Sequence, residues 1–542
     1  GMRHIPLVDR EQTRNALWKS LTSAVEGNLR GAVLEGPAGV GKSRLARWLC
    51  ERAHEVGAAT ILNVEHERVP GPRTGLGYMV AGHLLTEGLT RDETVARVGT
   101  LVQDADQNEL LSVAELAHPA PENVSGPVVR FSGIRERHAA LTAFVARLCA
   151  DRPVILWMDD VQWGLDALMF ARHLVDHAEG LRLMIVMTVR DDLLADRPEV
   201  TEALNAVSAT FDRFEIGALH PDDRPELVRQ LLGLSGDLAL EVERRTAGNP
   251  MFAVQLVGDW VARALLVAGE TGFQLRSGAQ IELPADIRAV WDVQIERLLI
   301  DRPDLDGLAI EVAAVLGMTI DPREWQAVCA ELDIPVSDDL VDALVRRRLF
   351  SASDPSGRRR FAHGLLRECL EQRAAETERL PAIHAACAQI LPTLEVAGNL
   401  ARAGRHALAA GLSDVAVGLL QEAAMEAGVR GDYPEAMALS ELALANVGAT
   451  VRRQTAQLLT YQARVKSLTG RLAEARAVAS RALELADRHN WVQERVGALL
   501  RLAVVHNILR EPDPALALCK RALGYVDVDT SIREQIDLYS SK

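Results

Sequence analysis

Short apolar runs alternate with helix-like segments over the first 218 residues. Four runs are continuously hydrophobic, as in strands that are buried on both faces: Ala32–Leu34, Thr60–Leu62, Val154–Trp157 and Met184–Met187. The intervening segments 42–56, 135–150 and 198–207 have helical periodicity. This alternation predicts an α/β domain over residues 1–218, built on a parallel sheet with helices on both faces.

The strand-like runs stop at about residue 219, and the pattern becomes helical. We therefore predict a helical lid domain over 219–285. Helical segments return after residue 286 and lead to the two strand-like runs Leu349–Ser353 and Arg358–Phe361, which flank a turn at 354–357. Helices followed by a hairpin predict a winged-helix domain over 286–380.

A repeat of about 40 residues marks the C-terminal part of the chain. Gly431–Ala436, Gly470–Ala475 and Arg510–Ala515 are similar segments at spacings of 39 and 40 residues. Each is followed by a small residue at helical period, namely Ala443, Ala482 and Ala522. We predict a TPR-like solenoid of helical hairpins over 381–542. A further helix is predicted from Ser531, so we expect the natural protein to continue beyond Lys542.

Composition excludes several classes of protein. The 542 residues carry a formal net charge of −15, which disfavours strong binding to nucleic-acid phosphates. Hydrophobic residues make up 48% of the chain, which excludes wholesale disorder. The six cysteines form no CxxC pair, which favours reduced thiols over disulfides or a zinc site. No apolar run is long enough to span a membrane, and we expect a cytoplasmic protein without a membrane partner.

The segment Gly36–Ser43 reads GPAGVGKS and matches the pattern GxxxxGK[ST] in full. It follows a predicted strand and precedes a predicted helix, which is the context of a P-loop. The loop N–H groups and the helix N-terminus would bind the phosphates of ATP or ADP, and Lys42 would reach the β- and γ-phosphates as a catalytic group. The predicted nucleotide contacts here are Gly36, Pro37, Ala38, Gly39, Val40, Gly41, Lys42, Ser43 and Arg44.

A second motif ends the predicted strand Val154–Trp157 with two carboxylates. The Ser43 hydroxyl and Asp159 would hold Mg²⁺, and Asp160 would orient or deprotonate the attacking water. Arg190 ends the next strand and is a candidate catalytic contact to the γ-phosphate. The alternative for Arg190 is a solvated arginine at a strand end.

Two arginine triplets flank the predicted wing, at 346–348 and 358–360. They suggest contact with DNA. The alternative is a basic face that is solvated or contacts another domain, and the acidic composition favours it.

These residues resemble the STAND class of signal-transduction ATPases, and within it the large ATP-binding LuxR-family regulators (MalT-like). Leu7–Glu11 is similar to the Val-Gly-Arg-Glu segment of that family, with Asp9 in place of glycine, and the resemblance implies that Arg10 lies near the adenine. Asp159–Trp163 matches the family string Asp-Asp-x-Gln/His-Trp. The family continues with Ala-Asp, whereas this chain has Gly164 and Leu165.

Two further segments extend the resemblance. Gly248–Pro250 resembles the Gly-Asn-Pro motif, which implies that Pro250 packs near the nucleotide. Ala362–Leu366 is similar to the Met-His-Asp motif, with Gly364 in place of aspartate. That similarity implies that His363 contacts the β-phosphate of ADP; a structural histidine is the alternative.

The pattern as a whole favours a switch controlled by ATP and ADP, with slow ATP hydrolysis as a timer. The resemblance implies that the repeats sense an inducer or a protein partner, that the ATP state self-associates, and that DNA is bound only through a C-terminal domain absent from this chain. The alternatives are an AAA+-type motor or remodelling ATPase, a STAND defence or scaffold protein with another effector, and a small-molecule phosphotransferase.

Overall fold

The structure is a computed structural model that describes residues 7–68, 74–102, 105–120, 127–131, 133–232, 237–269, 272–276, 287–300, 302–354, 357–394, 396, 398–430, 432–448 and 453–525. The chain divides into two units. The first contains residues 1–103, 116–118 and 141–379, and the second contains 104–115, 119–140 and 380–542. The helix predicted from Ser531 and part of the predicted turn at 354–357 lie outside the described residues.

Five parallel strands form the main sheet of the first unit, in the order β2-β3-β4-β1-β5. The strands are β1 (Arg30–Glu35), β2 (Thr60–Glu65), β3 (Val154–Asp159), β4 (Leu183–Val189) and β5 (Asp212–Glu215). The predicted parallel sheet is confirmed, because the four apolar runs lie in β1 to β4. The short edge strand β5 is an addition to the prediction. Since the strands are parallel, the carboxyl ends of β1, β3 and β4 meet at one edge of the sheet.

Eight helices accompany these strands along the chain. They are α1 (Glu11–Val25), α2 (Lys42–Glu55), α3 (Gly75–Leu84), α4 (Arg91–Leu101), α5 (Gln107–Ala117), α6 (Ile134–Asp151), α7 (Leu165–His177) and α8 (Pro198–Ser208). Leu17 of α1 and Leu45 of α2 share one fully buried core with Ile155 of β3 and Val186 of β4. This core fixes α2, and with it the loop that precedes α2, on the sheet.

The segment from residue 221 to residue 300 contains helices and one hairpin. Its elements are α9 (Arg224–Leu232), α10 (Asp237–Thr246), α11 (Pro250–Ala262), β6 (Leu266–Gly269), β7 (Gly272–Leu275) and α12 (Ile287–Leu299). The antiparallel pair β6–β7 corrects the prediction that strands stop at about residue 219. The sequence pattern missed these strands because β6 closely follows the helical segment of α11 and β7 contains the polar residue Gln274, so neither is a separate, continuously apolar run.

The next segment of the first unit is helical with a small antiparallel sheet. Its elements are α13 (Asp304–Leu316), β8 (Thr319–Ile320), α14 (Pro322–Glu331), α15 (Asp338–Arg346), β9 (Arg359–Arg360) and α16 (Gly364–Glu376). The predicted hairpin is present in part: Phe350 bridges Phe361, and the N–H of Ser351 donates to the carbonyl of Arg360 at 2.8 Å. β8 adds a strand by pairing with β9. The assignment as a winged helix stays a prediction.

Arginines of both triplets have acidic partners within the first unit. Arg358 pairs with Glu87 at 3.4 Å, Arg360 pairs with Glu65, and Arg346 lies 3.7 Å from Asp339. These pairs favour the interpretation of a basic face that contacts other parts of the protein. They leave less positive charge for DNA phosphates.

The second unit is a series of helices with a regular repeat. They are α17 (Leu380–Ile390), α18 (Asn399–Ala409), α19 (Ser413–Val429), α20 (Tyr433–Asn446), α21 (Arg453–Leu468), α22 (Leu472–Arg488), α23 (Val492–Ile508) and α24 (Pro512–Leu523). Helices α20, α22 and α24 begin inside the three predicted repeat segments, and Ala443, Ala482 and Ala522 are fully buried. Ile134, from the segment 119–140, packs against the buried cluster that contains Leu420 and Leu439.

The six cysteines are all described and all free, and five of them are buried. Within the described part of the chain, no helix combines the length and the apolar character needed to cross a membrane.

Candidate nucleotide site

The P-loop runs from the end of β1 to the start of α2. Lys42 is buried, and its Nζ donates to the carbonyl oxygens of Gly36 and Pro37, each at 2.7 Å. Burial lowers the pKa of the Lys42 ammonium, and the Asp160 carboxylate opposes that shift. The Lys42 ammonium group therefore lies within the P-loop. When a nucleotide binds, phosphate oxygens would replace the two carbonyl oxygens as its hydrogen-bond acceptors.

Two glycines of the loop are required by geometry. Gly41 precedes α2 with φ 102°, a backbone conformation that side chains other than hydrogen disfavour. Gly39 has φ 81°, and a Cβ on it would lie 2.9 Å from Oδ1 of Asn249. The loop can thus pass close to the segment that begins α11.

Asp159 is the centre of the acidic part of the site. Its Oδ1 accepts hydrogen bonds from the hydroxyls of Ser43, at 2.8 Å, and Thr188. Burial and the neighbouring Asp160 carboxylate raise the pKa of Asp159 to about 6. A cation bound by Ser43 and Asp159 would offset this buried charge, and hydroxyl and carboxylate oxygens are ligands suited to Mg²⁺. The donor set therefore fits the predicted metal.

Thr188 was not predicted as a site residue. It is a fully buried polar residue in the otherwise apolar strand β4, and its Oγ1 also accepts a hydrogen bond from the N–H of Asp160 at 2.9 Å. A polar residue inside a buried strand was the sequence signal that could have revealed it.

Asp160 follows β3 with φ 55°, a left-handed conformation that aspartate tolerates better than most residues. It begins the 3₁₀ turn Val161–Trp163. Gln162 in this turn is fully buried and donates to Oδ1 of Asp160 at 3.0 Å. The structure thus brings Lys42, Ser43, Asp159 and Asp160 together.

Arg190 follows β4, and its guanidinium is ion-paired on two sides. It lies 2.9 Å from Asp192 and 3.1 Å from Glu368 of α16. Its side chain is 20% exposed, so the alternative of a solvated arginine does not describe it. The carboxylates raise the pKa of Arg190 against the effect of burial, and the predicted contact to the γ-phosphate would require Arg190 to leave Glu368.

Pro250 is the first residue of α11, and Asn249 caps that helix by accepting from the N–H groups of Met251 and Phe252. The Asn249 amide also donates to the carbonyl of Ala38 at 3.3 Å, and the N–H of Met251 donates to the carbonyl of Gly39. The Gly-Asn-Pro segment therefore contacts the P-loop directly. Asn249 is the residue of this motif that the sequence analysis did not single out.

Arg10 lies at the start of α1 with φ 68°, and Asp9 has φ 61°. The Arg10 guanidinium donates to the carbonyl of Gly217, just after β5. The left-handed conformation at position 9 is one that glycine adopts without strain and that aspartate tolerates. Val8 packs against the buried cluster around α9 to α11, so the segment before α1 contacts these helices.

His363 immediately precedes α16, and its Nε2 lies 2.9 Å from the amide nitrogen of Gln255 in α11. Its ring is 5.5 Å from that of Trp291. Burial lowers the pKa of His363. The histidine joins α11, α12 and α16, which is a structural role compatible with the predicted contact to ADP.

His66 is a further residue that the sequence analysis missed. It follows β2, and its Nδ1 lies 2.7 Å from the carbonyl oxygen of Asp159. A Cβ on Gly164 would lie 2.4 Å from the His66 ring. The His66 ring thus leaves no room for a side chain at position 164.

Comparisons with known proteins agree with this geometry. Residues 6–186 match the family model of the AAA ATPase domain. The chain is 24% identical over 488 residues to an uncharacterized protein of Rhizobium meliloti (strain 1021), and the match covers 84% of this chain and 44% of that protein. The chain thus spans less than half the length of this curated relative.

Three solved structures are similar at low identity. A STAND protein with a tetratricopeptide repeat sensor from Pyrococcus horikoshii is 12% identical, with a TM-score of 0.40 over 98% of this chain and 72% of that one. The ORC2 protein of Aeropyrum pernix is 13% identical, with a TM-score of 0.34 over 69% of this chain and 97% of that one. Cdc6p of Pyrobaculum aerophilum is 14% identical, with a TM-score of 0.31 over 69% and 96%.

An AAA ATPase domain binds nucleotide together with a divalent metal, and the described P-loop and acidic side chains provide for both. Residues 6–186 are accordingly an AAA-type P-loop ATPase domain, and a region rich in helices follows it.

Proposed function

We propose that the chain is the nucleotide-controlled switch of a STAND-type regulator, which binds ATP or ADP and hydrolyses ATP slowly. In the chemical step, a bond forms between a water oxygen and the γ-phosphorus while the bond from that phosphorus to the ADP oxygen breaks. The proton of the water passes to Asp160. Ser43 and Asp159 would hold Mg²⁺, which neutralises phosphate charge when bound.

The observation that carries this proposal is the ion pair between Arg190 and Glu368. Arg190 follows β4 beside the acidic residues, whereas Glu368 lies 178 residues later on α16. A γ-phosphate would compete with Glu368 for the guanidinium, and ADP has no γ-phosphate. ATP and ADP would therefore favour different positions of α16, which is the property that a switch needs.

The contacts of α11 support the same proposal. Asn249 and Met251 reach the P-loop carbonyls of Ala38 and Gly39, and Gln255 reaches His363. The P-loop is thus linked through α11 to the helix that carries Glu368. A ligand that changes the P-loop would act on both contacts.

Nucleotide binding is tested with Lys42→Ala, which removes the cation of the P-loop. We expect ATP and ADP each to bind at least about tenfold more weakly, about 1.4 kcal/mol, when measured by calorimetry. Lys19→Ala is the matched control because Lys19 is exposed on α1. Wild-type affinity in Lys42→Ala would contradict the assignment.

Turnover separates the switch from the alternatives. We expect slow steady-state hydrolysis, and loss of about 10²–10⁴-fold in Asp160→Asn with ATP binding retained. Fast, constitutive turnover would favour the AAA+ motor or remodelling ATPase. A STAND defence or scaffold protein would share the slow cycle and differ in its effector domain.

The partners and the output belong to the same proposal. The helical repeats would receive an inducer or a protein partner, and the ATP state would self-associate. As in LuxR-family regulators, DNA would be bound by a domain outside these 542 residues. The exposed Asp338 and Asp342 on α15 support this assignment, because their carboxylates would repel phosphates.

A further inference from the structure

Gln162 lies between the two groups that would face the γ-phosphate. Its Nε2 donates to Oδ1 of Asp160 at 3.0 Å, and its Oε1 accepts from the backbone N–H of Arg190 at 3.1 Å. The side chain is fully buried. One amide therefore connects the carboxylate after β3 to the backbone after β4.

The chemistry of its neighbours fixes the orientation of this amide. The Arg190 N–H can only donate, so the Gln162 oxygen must face it, and the NH₂ group must then face Asp160. Oδ1 of Asp160 is consequently occupied as an acceptor. Among the described residues no donor reaches Oδ2, which leaves this oxygen for a water molecule.

The backbone around Gln162 is also held on both sides. The left-handed Asp160 starts a 3₁₀ turn in which the N–H of Trp163 donates to the Asp160 carbonyl at 3.0 Å. Arg197 donates to the carbonyl of Gln162, and its guanidinium lies 4.5 Å from the centre of the Trp163 ring. These contacts hold the turn in a conformation in which the Gln162 side chain points back to Asp160, two residues earlier in the chain.

We propose that Gln162 is a positioning residue for ATP hydrolysis. It holds the Asp160 carboxylate toward the attacking water and fixes the position of this carboxylate relative to the backbone of Arg190. This inference rests on the proposed function of Asp160. A misplaced carboxylate would still permit nucleotide binding, because Lys42 would contact the phosphates and Ser43 would bind the metal ion without needing it. The role therefore predicts a loss in the chemical step without a loss in affinity.

The test measures single-turnover hydrolysis and ATP affinity in three variants. Gln162→Met keeps the length and removes both hydrogen bonds, and Gln162→Glu keeps the acceptor for Arg190 and removes the donor to Asp160. We expect both to hydrolyse ATP about 10–100-fold more slowly than wild type, with ATP affinity within about threefold of wild type. Gln162→His offers one donor and one acceptor nitrogen and should restore most of the rate.

Matched variants separate this inference from its premise. Gln462→Met, in the repeats, changes another buried glutamine and should leave the hydrolysis rate unchanged. If Asp160→Asn hydrolyses ATP normally, the proposed role of Asp160 fails, and the inference fails with it. If Asp160→Asn loses hydrolysis but folded Gln162→Met does not, only the inference is overturned. Parallel losses of affinity and rate in Gln162→Glu and Gln162→His would also overturn it.

Discussion

Gly164 and His66 form a tight pair beside the acidic residues. The hydrogen bond of His66 to the Asp159 carbonyl fixes the imidazole, and the ring fills the space that a side chain at 164 would need. Burial lowers the pKa of His66, so the neutral ring is the form that the site favours. The effects on stability of substitutions at positions 66 and 164 should therefore not be additive.

Gly164→Ala should destabilise the first unit by about 1–3 kcal/mol, because its Cβ would overlap the His66 ring and force a shift. In a His66→Ala background the same substitution should cost much less, so the double-mutant cycle measured by chemical denaturation should show strong coupling. Gly82→Ala is the control, since Gly82 is exposed in α3 with open space around it. An equal penalty in both backgrounds would show that the two residues are independent.

The phosphate-binding residues could be predicted from the sequence because their signal is local. Eight consecutive residues define the P-loop, and a buried strand ends directly at Asp159 and Asp160. The partner of Arg190 could not be predicted in this way. Glu368 and Glu376 lie on the same helix, and only the folded chain distinguishes the one that reaches Arg190.

Helix α16 joins several parts of the first unit. His363 precedes it and contacts α11, Glu368 on it pairs with Arg190, and Glu376 near its end pairs with Arg288 at 2.7 Å. The two glutamates differ in their ion-pair partners. Only Glu368 restrains a residue proposed to meet nucleotide.

Glu368→Gln should therefore change the balance between nucleotides. With its charged partner removed, Arg190 would meet a γ-phosphate at lower cost, so ATP binding should tighten by a few-fold relative to ADP. The pair is partly exposed, which limits the effect to about 0.2–1 kcal/mol. Calorimetry with both nucleotides measures it, and Glu376→Gln is the control. An unchanged ratio of the two affinities would argue against the proposed competition.

The strands that the sequence did not predict share a physical reason. β5 consists of Asp212–Glu215 and lies at the edge of the sheet, where charged residues are tolerated and protect against association with other strands. β6 and β7 are only four residues long each. A prediction from continuous apolar runs finds strands that are buried on both faces, and these three are not of that kind.

In the second unit, the buried His406 contacts the half-buried His384. The Nδ1 atoms of His384 in α17 and His406 in α18 lie 2.8 Å apart, so one ring must donate and the other must accept. Burial is the main reason why the pKa of His406 lies well below 6.5. The positive charges of His384, Arg402 and Arg405 lower this pKa further. Arg405 is itself paired with the carboxylate of Glu435.

Stability of the chain should therefore fall in mild acid. Because the pKa of His406 is lower in the folded than in the unfolded protein, its contribution is present above pH 6.5 and declines below it, by about 1.4 kcal/mol per pH unit. Denaturant midpoints between about pH 7.5 and pH 5.5 measure this slope. His406→Leu should reduce the slope, and exposed His489→Gln should not. An identical slope in His406→Leu would assign the acid sensitivity to other groups.

The division of the chain into units does not follow its linear order. The second unit takes residues 104–115 and 119–140 from within the stretch that otherwise builds the ATPase domain, and Ile134 packs into a cluster formed by the repeats. A prediction by consecutive boundaries had no means of finding this, since it assigns each stretch of sequence to one domain.

The interleaving of the two units along the chain has a consequence for expressing them as separate fragments. A fragment that ends at residue 379 retains Ile134 but deprives it of Leu420 and Leu439, and the complementary fragment carries an uncovered apolar patch. Both pieces would be prone to aggregation for reasons unrelated to nucleotide or signal. A clean separation of the two units therefore needs two changes: the segment 119–140 is removed from the first piece and is joined covalently to the second.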